Sequence, residues 1–155
     1  MELAKLIFQG ITLVVTIAGW SHVSRSNDKR DQRKEARDII SDIRTLVIDI
    51  ETRAFEYYKL PPGRSAEAGV LLKQQLKRLS MHATSLANQT PKVDISAALA
   101  TFRTKVTGGD FESIMRPERL ATDPLMGEIA LAAQEFFDKV EASFQAGETG
   151  KKKSR

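Results

Sequence analysis

From Leu6 to Ser24 the chain runs for nineteen residues without an Asp, Glu, Lys or Arg, and this run constrains the fold more than any other stretch. As a helix rising about 1.5 Å per residue it is roughly 28 Å long, close to the hydrocarbon thickness of a bilayer. Its apolar block is Ile11, Leu13, Val14, Val15, Ile17 and Ala18. A transmembrane anchor over residues 1–24 is the expectation. Lys and Arg beside a span collect on the cytoplasmic side. Only Lys5 precedes the run, whereas Arg25, Lys29, Arg30, Arg33, Lys34 and Arg37 follow it. This asymmetry predicts a single pass through the cell inner membrane, with the N-terminus outside, the C-terminal domain cytoplasmic, and Trp20 and His22 at the interface.

Two other readings of the run compete. Thr16-Ile17-Ala18-Gly19 resembles the small-residue cleavage site of a signal peptide, but the sparse basic charge before the run and the basic block after it argue for retention. A buried core helix of a soluble protein is the second, and an uncharged stretch of this length at a chain end argues against it. Within the run, Gln9, Thr12, Thr16, Gly19 and Val23 follow spacings of 3, 4, 3 and 4. They form one polar, small-residue stripe, the composition through which membrane helices approach and hydrogen-bond. A homo-oligomer through Gln9, Thr12, Thr16 and Gly19 follows from it; threonine hydroxyls bonding back to their own helix explain the stripe equally well.

Beyond the anchor, Asp28 to Asp38 reads DKRDQRKEARD, nine charged residues in eleven. A segment polar on every side is a solvated helix, and residues 25–38 are read as a charged juxtamembrane helix. Ala36, Ile40, Ile43, Val47, Ile50, Ala54 and Tyr57 then repeat at intervals of 4 and 3, with no Gly or Pro from Trp20 to Leu60. One long helix is expected to leave the membrane, presenting a heptad-like seam. Pro61-Pro62-Gly63 must end it. Ser65 is placed to cap a second helix near Ala66–Asn88, with Leu72, Leu76, Leu79, Ala83 and Leu86 inward. Thr90-Pro91 breaks that helix, and Asp94 caps a third, about Ile95–Val106, which Gly108-Gly109 stops. Asp110 is expected to start a short helix over Phe111–Met115. Asp123-Pro124 signals a last helix to about Ala146, with Leu125, Ile129, Ala133, Phe136, Val140 and Phe144 on its face.

No window alternates with period two, so the expected fold class is all-α. It comprises an N-terminal transmembrane helix continuing into a long helix, then a cytoplasmic bundle of three to four helices over residues 39–146. Residues 147–155, GETGKKKSR, are read as a disordered basic tail.

Chemistry is sparse. The absence of cysteine excludes disulfide scaffolds, thiolate metal sites and cysteine nucleophiles. His82 is the one histidine beyond the anchor. It has no carboxylate at metal-ligand spacing, and no hydrolase, metalloprotease or phosphate-loop motif is present. The chain is therefore expected to be no enzyme, with no catalytic residues, no metal and no cofactor. The formal charge of +4 divides into opposing blocks: +1 over residues 1–63, +4 over 64–119, −5 over 120–150 and +4 in the tail. Lys73, Lys77 and Arg78 lie close together on the second helix, while Arg103, Lys105, Arg116 and Arg119 gather around the Gly-Gly turn. Brought together, these seven cations would hold an anionic small molecule or nucleotide. A solvated face pairing with the acidic last helix is the commoner outcome. Duplex nucleic acid needs a larger basic surplus and a recognition element, and neither is visible.

Two functions fit. The first is a non-enzymatic membrane protein whose cytoplasmic domain self-associates and binds a partner or ligand. The second is a ligand-gated effector in which an anionic signal, held by the cations, acts through the long helix on an oligomeric anchor. In layout alone the chain resembles the small membrane effectors of bacterial antiviral defence, including CRISPR-associated ones that respond to cyclic oligonucleotides. That resemblance implies a nucleotide ligand and a membrane that is opened or perturbed.

Overall fold

The computed structural model describes the backbone of residues 2–90 and 94–149, and the side chains of residues 30–90 and 94–146. The side chains of the uncharged run, including the stripe Gln9, Thr12, Thr16 and Gly19, lie outside these, as do residues 150–155 of the basic tail. Among the described residues the fold is all-α, with four α-helices and no strand. They are α1 (Glu2–Lys59), α2 (Ala66–Gln89), α3 (Ser96–Thr107) and α4 (Pro124–Thr149), with a 3-10 turn, Pro62–Arg64, between α1 and α2. Among the described residues no helix is long and apolar enough to cross a membrane.

Packing divides the chain into residues 1–37 and 38–155. In the first unit, Arg30 to Glu35 are all exposed, as a segment polar on every face requires. The second unit is a helical bundle. Its core takes Ile43, Val47, Ile50, Ala54, Tyr57 and Tyr58 from α1, and Leu72, Leu76, Leu79, Ala83 and Leu86 from α2. Phe102 and Val106 come from α3, and Met126, Ile129, Ala132, Ala133, Phe136 and Val140 from α4. The spacings of 3 and 4 that mark these residues place each set on one side of its helix. Burying a Leu or Phe side chain contributes about 1.5–3 kcal/mol, so these faces, more than helix propensity, hold the helices.

The seam on α1 is thus enclosed within the domain from Ile43 to Tyr57 and is not offered to a partner. The second α1 face turns to α2 and α4: Gln75 Nε2 donates to Asp49 Oδ2, and the Arg44 guanidinium lies 5.0 Å from the Phe137 ring centroid.

The helix ends follow local chemistry in part. At α4, Asp123 Oδ1 accepts from the Leu125 backbone N–H at 2.9 Å, with Pro124 as the first helical residue. At α3 the cap position falls to Ile95, which makes no side-chain cap, and Asp94, expected there, stands one residue earlier, where its Oδ1 accepts from both the N–H (3.2 Å) and hydroxyl (2.7 Å) of Ser96. These bonds, the side-chain one foremost, hold the Asp94 carboxyl below the usual carboxylate range. A further departure is Ser65. It stands at the α2 cap position but makes no side-chain cap, because its hydroxyl donates to the Pro62 carbonyl at 3.1 Å. Another is the helix expected over Phe111–Met115, which is a series of turns. Gly109 and Glu112 adopt φ of 62° and 65°, left-handed values that a right-handed helix cannot contain. The last is α4, which continues past Ala146 to Thr149.

Gly108 ends α3 because nothing larger fits. A Cβ there would stand 2.3 Å from the Thr104 carbonyl oxygen, inside any permissible contact.

Candidate functional site

The seven cations picked out from the sequence do not converge. Lys73 Nζ pairs with Glu112 Oε1 at 2.5 Å, and Lys105 Nζ with Glu128 Oε2 at 2.8 Å. Arg119 is bridged on both sides, Nη2 to Asp110 Oδ2 at 2.9 Å and Nη1 to Asp123 Oδ2 at 3.1 Å. Burial alone would lower the Arg119 pKa, but the hydrogen bonds and charges of Asp110 and Asp123 outweigh it and raise the value. Arg103 Nη1 approaches Ser80 Oγ at 3.5 Å on the α2–α3 face. Lys77 and Arg78 are exposed on α2. His82 Nδ1 stands 3.9 Å from Asp42 Oδ2, half-exposed.

Arg116 is the clearest correction. It is 3% exposed and cannot meet a ligand. Its Nη1 donates to the Tyr58 carbonyl at 3.0 Å, and its Nη2 to the carbonyls of Tyr57 (3.2 Å) and Leu60 (2.8 Å) and to Ser65 Oγ (3.0 Å). The guanidinium carbon lies 4.5 Å from the Tyr57 ring centroid and 5.3 Å from that of Tyr58. The last carbonyls of a helix lack intrahelical donors and carry the negative end of its dipole. Arg116 therefore closes the C-terminus of α1 from a loop more than fifty residues away in sequence. The Arg119 backbone N–H adds a bond to the Tyr58 carbonyl at 3.0 Å.

Aromatic residues complete this hub. Tyr57 packs on Phe111 with centroids 4.7 Å apart, and its hydroxyl oxygen accepts from the Glu112 N–H at 2.9 Å. The Tyr58 hydroxyl donates to the Val106 carbonyl at 3.0 Å, tying α1 to the end of α3. Burial, then the charges of Asp110 and Tyr57, push the Tyr58 pKa from 10.0 up to about 12, against the lowering effect of Arg116 and Arg119. Folding thus favours the neutral phenol. The associated stability is present below pH 10 and is lost as pH rises toward 12, because the unfolded chain releases its proton first. A loss on the order of 2–3 kcal/mol is expected across that interval. Urea titrations of the wild type and Tyr58→Phe check it: the wild-type midpoint falls more steeply with pH, whereas parallel curves refute the assignment.

Beside the hub is an open cleft lined by Thr104, Lys105, Gly108, Gly109, Asp110, Arg119, Leu125 and Glu128. Its charges are the two ion-paired sets described above, which neutralise one another. Among the described residues no three His, Asp or Glu side chains are grouped to hold a metal.

The hub was missed in the sequence because Arg116 reads there as one more cation. The only local signal is an arginine directly before Pro117, in a loop that also carries Gly-Gly and Phe111. No family model, no curated protein and no solved structure matches the chain.

Proposed function

We propose that this chain is a non-enzymatic, single-pass inner-membrane protein whose helical domain lies on the cytoplasmic side and self-associates. The observation that carries the reading is the uncharged run Leu6–Ser24 followed at once by Arg25, Lys29, Arg30, Arg33, Lys34 and Arg37. The run is a bilayer's thickness long, and the charges fix its direction. The stripe Gln9, Thr12, Thr16 and Gly19 gives the anchors a face on which to pair.

The nucleotide-gated effector is the weaker reading. It needs a group of available cations, and five of the seven candidates are engaged in the fold: Lys73, Lys105, Arg116 and Arg119 as described, and Arg103 against Ser80.

Membrane fractionation of cells expressing the full chain tests the proposal. The wild type is expected to stay in the membrane pellet through an alkaline carbonate wash. Val14→Arg, which adds about 2.5–3.5 kcal/mol to insertion, shifts the chain to the supernatant. Protease added outside spheroplasts leaves the domain intact. A wild-type chain found wholly in the supernatant overturns the anchor.

A further inference from the structure

The seam on α1 is closed inside the domain, so a self-associating domain needs another surface. Of the seven cations, Lys77 and Arg78 stand exposed on α2 with no ion-pair or hydrogen-bond partner among the described residues. They flank an exposed stripe, Val70, Gln74 and Met81, that repeats at 4 and 7 on the side of α2 opposite its buried residues. Helix α4 carries the counterpart. Opposite its buried face run Leu131 and Asp138, also seven apart, flanked by Gln134 and Glu135, all four exposed. Glu135 has no partner among the described residues, and Asp138 accepts from Gln134 of its own helix at 2.7 Å. Each stripe also presents a large apolar side chain, Met81 on α2 and Leu131 on α4, 63% and 60% exposed.

The two faces point away from each other, because α1 and α3 both stand between their helices. Helix α1 meets α2 through Asp49 and Gln75 and meets α4 through Arg44 and Phe137. Helix α3 meets α2 through Arg103 and Ser80 and meets α4 through Phe102 and Phe136. The two helices run in the same direction. Asp42 and Asp49 of α1 face His82 and Gln75 in descending order, so α2 is antiparallel to α1. Helix α4 is antiparallel to α1 as well: Asp123 at its start is bonded to Arg119 beside the Tyr58 carbonyl, and Phe137 farther along lies at Arg44. They also stand level. Through α3, Ser80 reaches Arg103, the neighbour of the Phe102 that stacks on Phe136. Through α1, His82 at Asp42 and Phe137 at Arg44 set Ser80 against that same turn of α4. Counting along both helices from there, Gln74 is level with Leu131, Lys77 with Gln134 and Met81 with Asp138.

We propose that α2 of one copy lies along α4 of the next, parallel and level, so that copies join head to tail around or beside one another. The inference deepens the self-association proposed above and rests on it, since copies that enter one membrane in one direction keep these helices parallel. What selects a second copy as the occupant is charge: the cations and carboxylates left unpaired within one chain stand at the same level, on opposite sides and with opposite sign. At the edges of two parallel helices the flank before the stripe on one meets the flank after it on the other. Lys77 therefore faces Glu135, and Arg78 turns toward Gln134 and Asp138. Exposed ion pairs add little strength, and here they set partner, register and direction. Contact comes from the stripes themselves, which run about 36 Å along each helix. A face that meets a different face closes a ring or extends a row, so every copy inside the assembly is held on both sides. Confinement to a membrane raises the effective concentration at which these contacts form.

The chain contains no cysteine, so single substitutions give unambiguous crosslinks. Full-length Gln74→Cys and Leu131→Cys chains are reconstituted together in phosphatidylethanolamine–phosphatidylglycerol vesicles and oxidised with copper phenanthroline. Thr52, exposed on α1, provides the control. The mixed disulfide between the Gln74→Cys and Leu131→Cys chains is expected to form about ten-fold faster than that between Gln74→Cys and Thr52→Cys, reflecting the effective concentration of a docked pair. A chain carrying both Gln74→Cys and Leu131→Cys gives a ladder of products longer than a dimer. Adding Lys77→Glu or Glu135→Lys to that chain suppresses the ladder, and adding both restores it, while the thermal unfolding midpoint stays unchanged throughout. Equal rates for the two mixed pairs, products that stop at the dimer, or a double exchange that fails to restore the ladder overturn the contact. Vesicle flotation and energy transfer between labelled copies are read on the same samples. Chains that float and transfer without the crosslink preference leave the proposed function standing and sink this surface. Chains that do not float, yet form the ladder and recover it on charge exchange, overturn the membrane anchor and support the surface.

Discussion

Leucine in place of Arg116 will destabilise the domain by about 3 kcal/mol or more. The side chain makes four hydrogen bonds, three of them to carbonyls at the end of α1. A buried polar group left without its partner costs about 1–3 kcal/mol, and leucine abandons several at once while keeping most of the volume. Lysine is expected to recover little. Its single ammonium cannot reproduce a planar fork that reaches Tyr57, Tyr58 and Leu60 together and stacks on two phenol rings. The measurement is urea unfolding of both variants against Lys77→Leu, an exposed α2 position expected within about 0.5 kcal/mol of wild type. If Arg116→Leu loses less than about 1 kcal/mol, the carbonyls are hydrated rather than dependent on Arg116.

The helices were legible because their evidence is local. Each buried stripe repeats at 3 and 4 within one helix, and the start of α4 carries its own signal in Asp123-Pro124. The loop over residues 108–123 was not, because what shapes it is remote. Arg116 answers to carbonyls 56 to 59 positions away, and no composition or spacing rule distinguishes such an arginine from a solvated one. The left-handed Glu112 is a related case: nothing in the residue type demands that conformation, and the short helix expected there gives way to it.

The candidate site fared worse for the same reason. Nearness in sequence grouped Arg103, Lys105, Arg116 and Arg119, but the fold gives each a different partner. A positive block therefore became a set of separate bonds, with opposite charge drawn from α4 in the case of Lys105 and from the loop in the case of Arg119. The expectation that basic middle and acidic end would pair was the better physical guide. The seam on α1 teaches the converse. Its heptad-like spacing suits a coiled coil and a bundle helix alike, and only the presence of α2 and α4 alongside decides between them.

Phe102→Ala is expected to cost about 3–5 kcal/mol, the range for removing a buried phenylalanine, and to do so unevenly. Helix α3 has twelve residues, and Phe102 and Val106 are its only buried side chains. Phe102 is fully buried and stacks parallel to Phe136 of α4, centroids 6.1 Å apart. A helix of that length is marginal without such packing. Once Phe102 is removed, Val106 and the Tyr58 hydroxyl bond remain to hold its end. The loss should therefore appear first as local opening of α3 rather than collapse of the bundle. Hydrogen exchange followed residue by residue distinguishes the two. In Phe102→Ala the amides of α3 are expected to exchange far faster than those of α2, whose five inward residues from Leu72 to Leu86 are untouched. A uniform fall in protection across α2 and α3 would instead make Phe102 part of a single cooperative core. Phe136→Ala provides the comparison: it removes the other ring of the same stack from a helix that also buries Met126, Ile129, Ala132, Ala133 and Val140. Helix α4 should then stay protected while α3 again opens, because the stack is a large share of what holds α3 and a small share of what holds α4.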